Sequence, residues 1–476
     1  MSADTALPAE FRLEIAALAR GYREGRFTPR DVIELVYERI ARRGDDGVWL
    51  HLVPKEEALA RAEALGPVPP DASPLWGIPC AIKDNLDVPG LPTTSGLAAS
   101  RYVPDTTGPA ISRLIDAGAI VIGKTSMDQF ALGLVGVRTE GRSCSCVFDD
   151  AYIPGGSSAG SGVSVAAGLV AFSLGNDAAG SGRVPAALNN IVGIKPTSGM
   201  ISNRAVSNGG VVRSIETISV FALTCADGVS VYREIAGYDA EDAFSRPQAD
   251  ETPIEIRPLA STFRFGVPRM ADRDFYGDED ARALFEEAIA RLVSMGGVAV
   301  ELDFAPFFEA QKVLYDGPWI AERTAWLEPI VERHRKGMHP VTRTILESGN
   351  QYSARDLFRA QYRLAQIRQH MRTLFRDIDI IAVPSTPTTF TKVQIEADPI
   401  ALNAKLGIYT NFVNLICMCG IAVPNGFRRD GLPMGITFLA PELCDATAIS
   451  FGAAYLDRLG VVTGGPVVAQ PVPALV

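Results

Sequence analysis

An α/β fold, with a sheet covered by helices on both faces, is predicted by three features of this 476-residue sequence. Short apolar runs alternate with stretches in helical periodicity, and Gly/Ser-rich turns lead into small-residue segments. The 47% hydrophobic content against 21% charged supplies enough apolar material for a sizeable core.

Residues 1–65 read as an N-terminal helical segment, because 11–22 and 31–43 carry apolar residues every three or four positions. Thr28-Pro29 supplies an N-cap and a first-turn proline for the second helix. After the Pro-rich stretch 66–74 come a strand (79–82), a helix (110–117), a strand (119–122), a small-residue helix (161–169) and another strand (171–174). A polar stretch, 239–258, separates these from long helical patterns at 278–295 and 354–375 and a strand at 378–383. That stretch reads as a surface connection inside one large domain, 66–476, whose later strands complete the same sheet.

Forty-five Lys and Arg against 55 Asp and Glu give a net charge of -10. The chain carries no basic stripe that would release counterions from a phosphate backbone, so no nucleic-acid partner is expected. The first residues show no basic and apolar leader pattern. The apolar segment 415–423 is far short of the roughly 20 residues a spanning helix needs. A cytoplasmic protein without a membrane partner is expected, and a homodimer is left open. Seven cysteines, odd in number and thinly spread, make a poor disulfide framework. Cys144 with Cys146 and Cys417 with Cys419 lack the spacing and nearby histidines of zinc modules, so no metal is expected.

Two motif matches mislead. Gly118 to Thr125 spells G-x-x-x-x-G-K-T, but its middle is rich in β-formers and reads as a buried strand, whereas a phosphate cradle is a loop. Gly156-Ser157-Ser158-Ala159-Gly160 fits a nucleophile elbow centred on Ser158, an alternative that requires a downstream acid and histidine.

The informative stretch is 154–186, PGGSSAGSGVSVAAGLVAFSLGNDAAGSGRVPA. Its second Gly/Ser-rich turn offers backbone N–H groups at Ala178, Ala179, Gly180 and Ser181 as an oxyanion hole. Close helix packing is the other use of such small residues. Upstream, Lys83 directly follows an apolar strand in Ala81-Ile82-Lys83-Asp84-Asn85. Burying an ammonium is costly, and desolvation lowers its pKa and makes it a candidate base. A lysine snorkelling from a strand end to water is the alternative.

With these elements the sequence resembles the amidase signature family, whose pattern is K-D-N, a G-G-S-S turn and a T-D-T-[GA]-G-S-x-R-x-P segment. The resemblance implies Lys83 as base, Ser157 as a bridging serine held by a cis peptide and Ser181 as nucleophile, with the two serines 24 residues apart. It implies a mixed sheet between helices and a relay through Ser157 that needs no cofactor or metal.

A closer resemblance, covering nearly the whole chain, is to the amidase domain of allophanate hydrolases. It rests on Asp128-Gln129-Phe130, Ala179 to Pro185, Tyr315 to Arg323, His339 to Arg343, and the run from Glu396 to Asn414. It implies that Tyr315 and Arg323 bind the substrate carboxylate, to which a guanidinium is suited. An ion pair with Glu322 on a surface helix is the other reading of Arg323. The sequence departs from the family at Asn176-Asp177-Ala178, Thr139-Glu140 and Ile215-Glu216-Thr217. At 476 residues it is expected to be a complete amidase domain without the second domain of longer members. Glu140 and Glu216 are accordingly candidates to bind a cationic relative of allophanate, guanylurea, unless each is an ordinary loop charge. The expected activity is hydrolysis of a small ureide, guanylurea or allophanate, with ammonia release. The alternatives are a component of a tRNA-dependent amidotransferase, a general small-amide amidase and a catalytically silent binding protein.

Overall fold

The computed structural model of the protein describes residues 7–207 and 212–466. Residues 1–6, part of the segment without a leader pattern, and 467–476, the end of the expected domain, lie outside the described residues. Among those described, eleven strands form a single mixed sheet. They are β1 (Trp49–Leu52), β2 (Pro79–Lys83), β3 (Ile120–Thr125), β4 (Phe172–Asp177), β5 (Val192–Lys195), β6 (Thr217–Ala222), β7 (Phe263–Pro268), β8 (Gly297–Leu302), β9 (Ile380–Pro384), β10 (Met418–Phe427) and β11 (Pro433–Pro441). Their spatial order is β1-β3-β2-β4-β6-β5-β10-β11-β9-β7-β8.

The predicted α/β class holds, and so does the reading that later strands complete the first sheet. The polar stretch 239–258 is a connection holding one short helical turn, Pro247–Asp250. Beyond it β10 pairs with β5, and β11 and β9 carry the ladder on to β7 and β8. The central strands β2 to β6 are buried along their whole length, as expected of a sheet covered on both faces.

The helix Pro29–Arg43 begins where Thr28-Pro29 placed it: the Thr28 side chain accepts from the Asp31 N–H, and the Asp31 carboxylate accepts from the Thr28 N–H. The helical reading of residues 1–65 needs one correction. Trp49–Leu52 is the edge strand β1, paired antiparallel with β3. Four half-buried residues are too few to show a strand period. The P-loop spelling falls on β3, where Lys124 is buried and donates to the Pro92 carbonyl (3.1 Å) and Thr93 Oγ1 (2.9 Å).

Candidate active site

Strands β2 and β4 run parallel, and β6 lies antiparallel beside β4. The C-terminal ends of β2 and β4 therefore meet the N-terminal end of β6, the edge of an open α/β sheet where crevices form. Lys83 is the last residue of β2, Asn176 and Asp177 close β4, and Glu216 immediately precedes β6.

The three residues singled out by sequence come together there. Lys83 is fully buried, and its Nζ donates to Ser157 Oγ at 2.7 Å and Asn176 Oδ1 at 2.6 Å. Ser157 Oγ in turn donates to Ser181 Oγ at 2.9 Å. The Gly156-Ser157 peptide is cis. Gly156 has no room for a side chain, since a Cβ would collide with the Asp128 carboxylate and the Gly136 N–H. Asp128 organises this turn: its carboxylate accepts from the Gly136 and Arg138 N–H groups, both at 2.9 Å, and its own N–H donates to the Ser157 carbonyl at 3.1 Å.

Burial pushes the Lys83 ammonium down to about 7, while Asp128, Glu216 and Asp177 pull in the opposite direction and Arg323 pushes further down. A large share of Lys83 is then free amine at neutral pH, able to accept a proton.

The turn after β4 is built around Asp177. Its carboxylate accepts from the N–H groups of Gly180 and Gly182, both at 2.9 Å, and from Arg183 Nε (3.0 Å) and Nη2 (2.9 Å). Burial works against the carboxylate, but Arg183 and these donors hold it below its usual range. Gly180 has φ +135°, and a Cβ there would lie 2.5 Å from Thr410 Oγ1, so only glycine fits.

This geometry revises the predicted oxyanion hole. The Gly180 N–H is taken by the Asp177 carboxylate. Among the described residues no acceptor takes the N–H of Ala178, Ala179 or Ser181. Replacing Arg183 by methionine would leave Asp177 buried and unpaired, at a cost of about 3–5 kcal/mol. Urea denaturation is the check, and a loss below about 1 kcal/mol would contradict this view of the turn.

Arg323 is not a surface ion pair. It is 1% exposed, and Glu322 instead accepts from the N–H (3.0 Å) and Oγ (2.5 Å) of Ser214. Arg323 Nη1 donates to the Ala131 carbonyl at 3.1 Å, and its guanidinium stands over the Tyr315 ring, 5.6 Å from the centroid. Arg323 Nε and Tyr315 OH are buried without partners. Such groups call for a ligand or water. Tyr315 also lines a cavity of about 550 Å³ with Arg138, Lys312, Asn403 and Asn411.

Both predicted glutamates are engaged in hydrogen bonds within the protein. Glu140 lies exposed on its loop, its carboxylate accepting from the Ala98 N–H at 2.7 Å. Glu216 is buried and accepts from Asn176 Nδ2 at 3.0 Å, which links it through Asn176 to Lys83. A sequence gives charge but not direction, and nearby N–H donors claimed both side chains. The Ser158 alternative lacks a base: its Oγ donates to the Asn176 carbonyl at 3.2 Å, and no imidazole bonds to it. Sequence reasoning did not assign roles to Asn176, Asp177 or Asp128, although the motifs contain all three.

The chain is a hydrolase of amide C–N bonds. The family model described as Amidase matches residues 31–449, and the chain belongs to that family. The chain is 36% identical over 418 residues to a urea amidolyase of Saccharomyces cerevisiae, covering 87% of this chain but only 22% of that protein. It is 32% identical to a glutamyl-tRNA(Gln) amidotransferase component of Maridesulfovibrio salexigens, covering 89% of this chain and 92% of that one. A solved allophanate hydrolase from Kluyveromyces lactis superposes with a TM-score of 0.86 at 34% identity, over 94% of this chain and 72% of that one. The protein is thus an amidohydrolase related to allophanate hydrolase.

Proposed function

We propose that the protein hydrolyses the terminal amide of a small carboxylated ureide, allophanate or a close relative, releasing ammonia through an acyl-enzyme on Ser181. The observation that carries this reading is the unbroken buried chain from Lys83 through Ser157 to Ser181. Neutral Lys83 takes the Ser157 proton as Ser157 takes that of Ser181, and Ser181 Oγ attacks the amide carbonyl. The N–H groups of Ala178, Ala179 and Ser181 are the donors available to the oxyanion. Collapse breaks the C–N bond, the proton returns through Ser157 to the leaving nitrogen, and ammonia departs. Water then cleaves the ester by the same relay, restoring Ser181.

A carboxylate on the substrate is supported by Arg323 and Tyr315, whose buried Nε and OH lack partners. It is also supported by the similarity to allophanate hydrolase. Guanylurea is less well supported, because Glu140 and Glu216 are engaged elsewhere. A cytoplasmic enzyme fits the seven free cysteines; separately, no described helix is long and apolar enough to cross a membrane.

Ammonia release by the purified chain from allophanate, guanylurea, biuret and malonamate tests this reading, with allophanate expected to be turned over best. Preference for guanylurea would overturn the substrate assignment, and inertness toward all four would favour an amidotransferase-type role. Arg323→Ala should lose roughly 10- to 150-fold in kcat/KM on allophanate, the worth of about 1.5–3 kcal/mol in hydrogen bonds to a charged group. Equal loss on guanylurea would remove Arg323 from carboxylate recognition.

A further inference from the structure

We propose that Asn176 and Glu216 form a positioning pair that keeps Lys83 oriented as a base toward Ser157. The inference rests on the reading of Lys83 as the proton acceptor. The orientation follows from what each group can donate. An ionised carboxylate only accepts, so Glu216 Oε2, 3.0 Å from Asn176 Nδ2, fixes the Asn176 amide with its NH2 toward Glu216. The amide oxygen must then face Lys83 Nζ, and does so at 2.6 Å.

A neutral amine has two N–H groups and one lone pair. With one N–H committed to Asn176 Oδ1, the free amine can turn its lone pair toward Ser157 Oγ, 2.7 Å away, once the Ser157 hydroxyl hydrogen swings from Ser181 to Nζ and Ser181 donates to Ser157 in its place. The opposite amide orientation would aim an NH2 group at Nζ, consume the lone pair and leave no base. Asn176 and Glu216 are both 1% exposed, so water does not readily replace either. The backbone holds the pair in register: Asn176 lies opposite Ile218 in the β4/β6 ladder, and Asn203 Nδ2 donates to the Glu216 carbonyl at 2.9 Å.

The charged groups acting on Lys83 come from four elements: Asp128 after β3, Glu216 before β6, Asp177 at the end of β4, and Arg323 on the helix Ile320–His334. Asp84, the next residue in the chain, instead serves the Thr94 N–H at 3.0 Å and lies 3.9 Å from Lys124 Nζ. Glu216 is therefore one of three carboxylates that favour protonated Lys83. Removing its charge lowers the proton affinity of Lys83, so the rise of activity with pH moves to lower pH.

The test is the rate at which a fluorophosphonate labels Ser181 between about pH 5 and 10, which requires no natural substrate. In Glu216→Gln, whose amide can donate as well as accept, labelling should slow roughly 10- to 100-fold. Its acidic limb should also fall by about half a pH unit or more. Glu216→Asp keeps the charge and should keep the limb in place even if the rate falls. An unmoved limb in Glu216→Gln, or an equal shift in both variants, would overturn the proposal, since a merely structural role lowers the rate without moving the limb. Should the Glu216 variants fail to fold, Asn176→Asp places a carboxylate against Lys83, and its limb should move up; no movement would again overturn the pair. Wild-type labelling in Lys83→Ala would instead sink the assignment of Lys83 as base, and a wrong substrate would leave every arm readable.

Discussion

Ser181→Ala is expected to lower ammonia release by roughly four orders of magnitude or more. Ser181 Oγ ends the hydrogen-bonded chain and sits on the turn whose Ala178, Ala179 and Ser181 N–H groups are unclaimed. Without it no acyl-enzyme forms, and neither neighbouring serine can substitute. Ser157 must stay between Lys83 and the substrate to pass protons, and Ser158 is tied to the Asn176 carbonyl. The fold should survive, because the change removes one buried hydroxyl and a single neutral hydrogen bond, worth about 1 kcal/mol. Steady-state ammonia release with thermal unfolding checks both parts. Residual turnover within tenfold of wild type would exclude Ser181 as nucleophile.

Lys83→Met should be almost as damaging, at roughly 10³-fold or more, because no other basic side chain bonds to Ser157. Methionine fills the space of the stem while removing the amine. Ser157→Ala should be milder, since a water can occupy the place of its hydroxyl. The Lys83 variant also carries a signature in stability. With the folded lysine at about 7 and an ordinary value of 10.5, the unfolded chain holds a proton in this window that the folded chain does not. Folding stability of the wild type therefore rises relative to Lys83→Met as pH increases between those two values, and below about 7 the dependence disappears. Urea unfolding of both proteins at pH 7 and 9.5 measures it. A difference that stays constant with pH would mean that Lys83 is charged in the folded protein.

Much of the site was legible because its chemistry is written in rare contexts. A lysine closing an apolar strand and two Gly/Ser turns made these segments candidates, the resemblance to the amidase signature family singled out Lys83, Ser157 and Ser181, and the three fall into one hydrogen-bonded chain. The support around them was not legible. Glu216 and Asn176 are 40 residues apart in sequence and meet only because β6 folds antiparallel onto β4. Gly180 was expected to offer its N–H to an oxyanion, yet Asp177, three residues earlier, takes it. Glu140 and Arg323 illustrate the same limit from opposite sides: the first turned to a backbone N–H on the surface, the second inward over the Tyr315 ring. The fold shows the same pattern, with long periodic helices evident in sequence and the four-residue β1 hidden.

The central claim is that Ser181 is the residue acylated through the Lys83 relay. Stoichiometric fluorophosphonate labelling, followed by peptide mass mapping and ammonia assay of the same sample, tests it most directly. A single adduct on Ser181, with activity lost in proportion to labelling, is the predicted result. An adduct on Ser157 or Ser158, or full activity with Ser181 completely labelled, would contradict it.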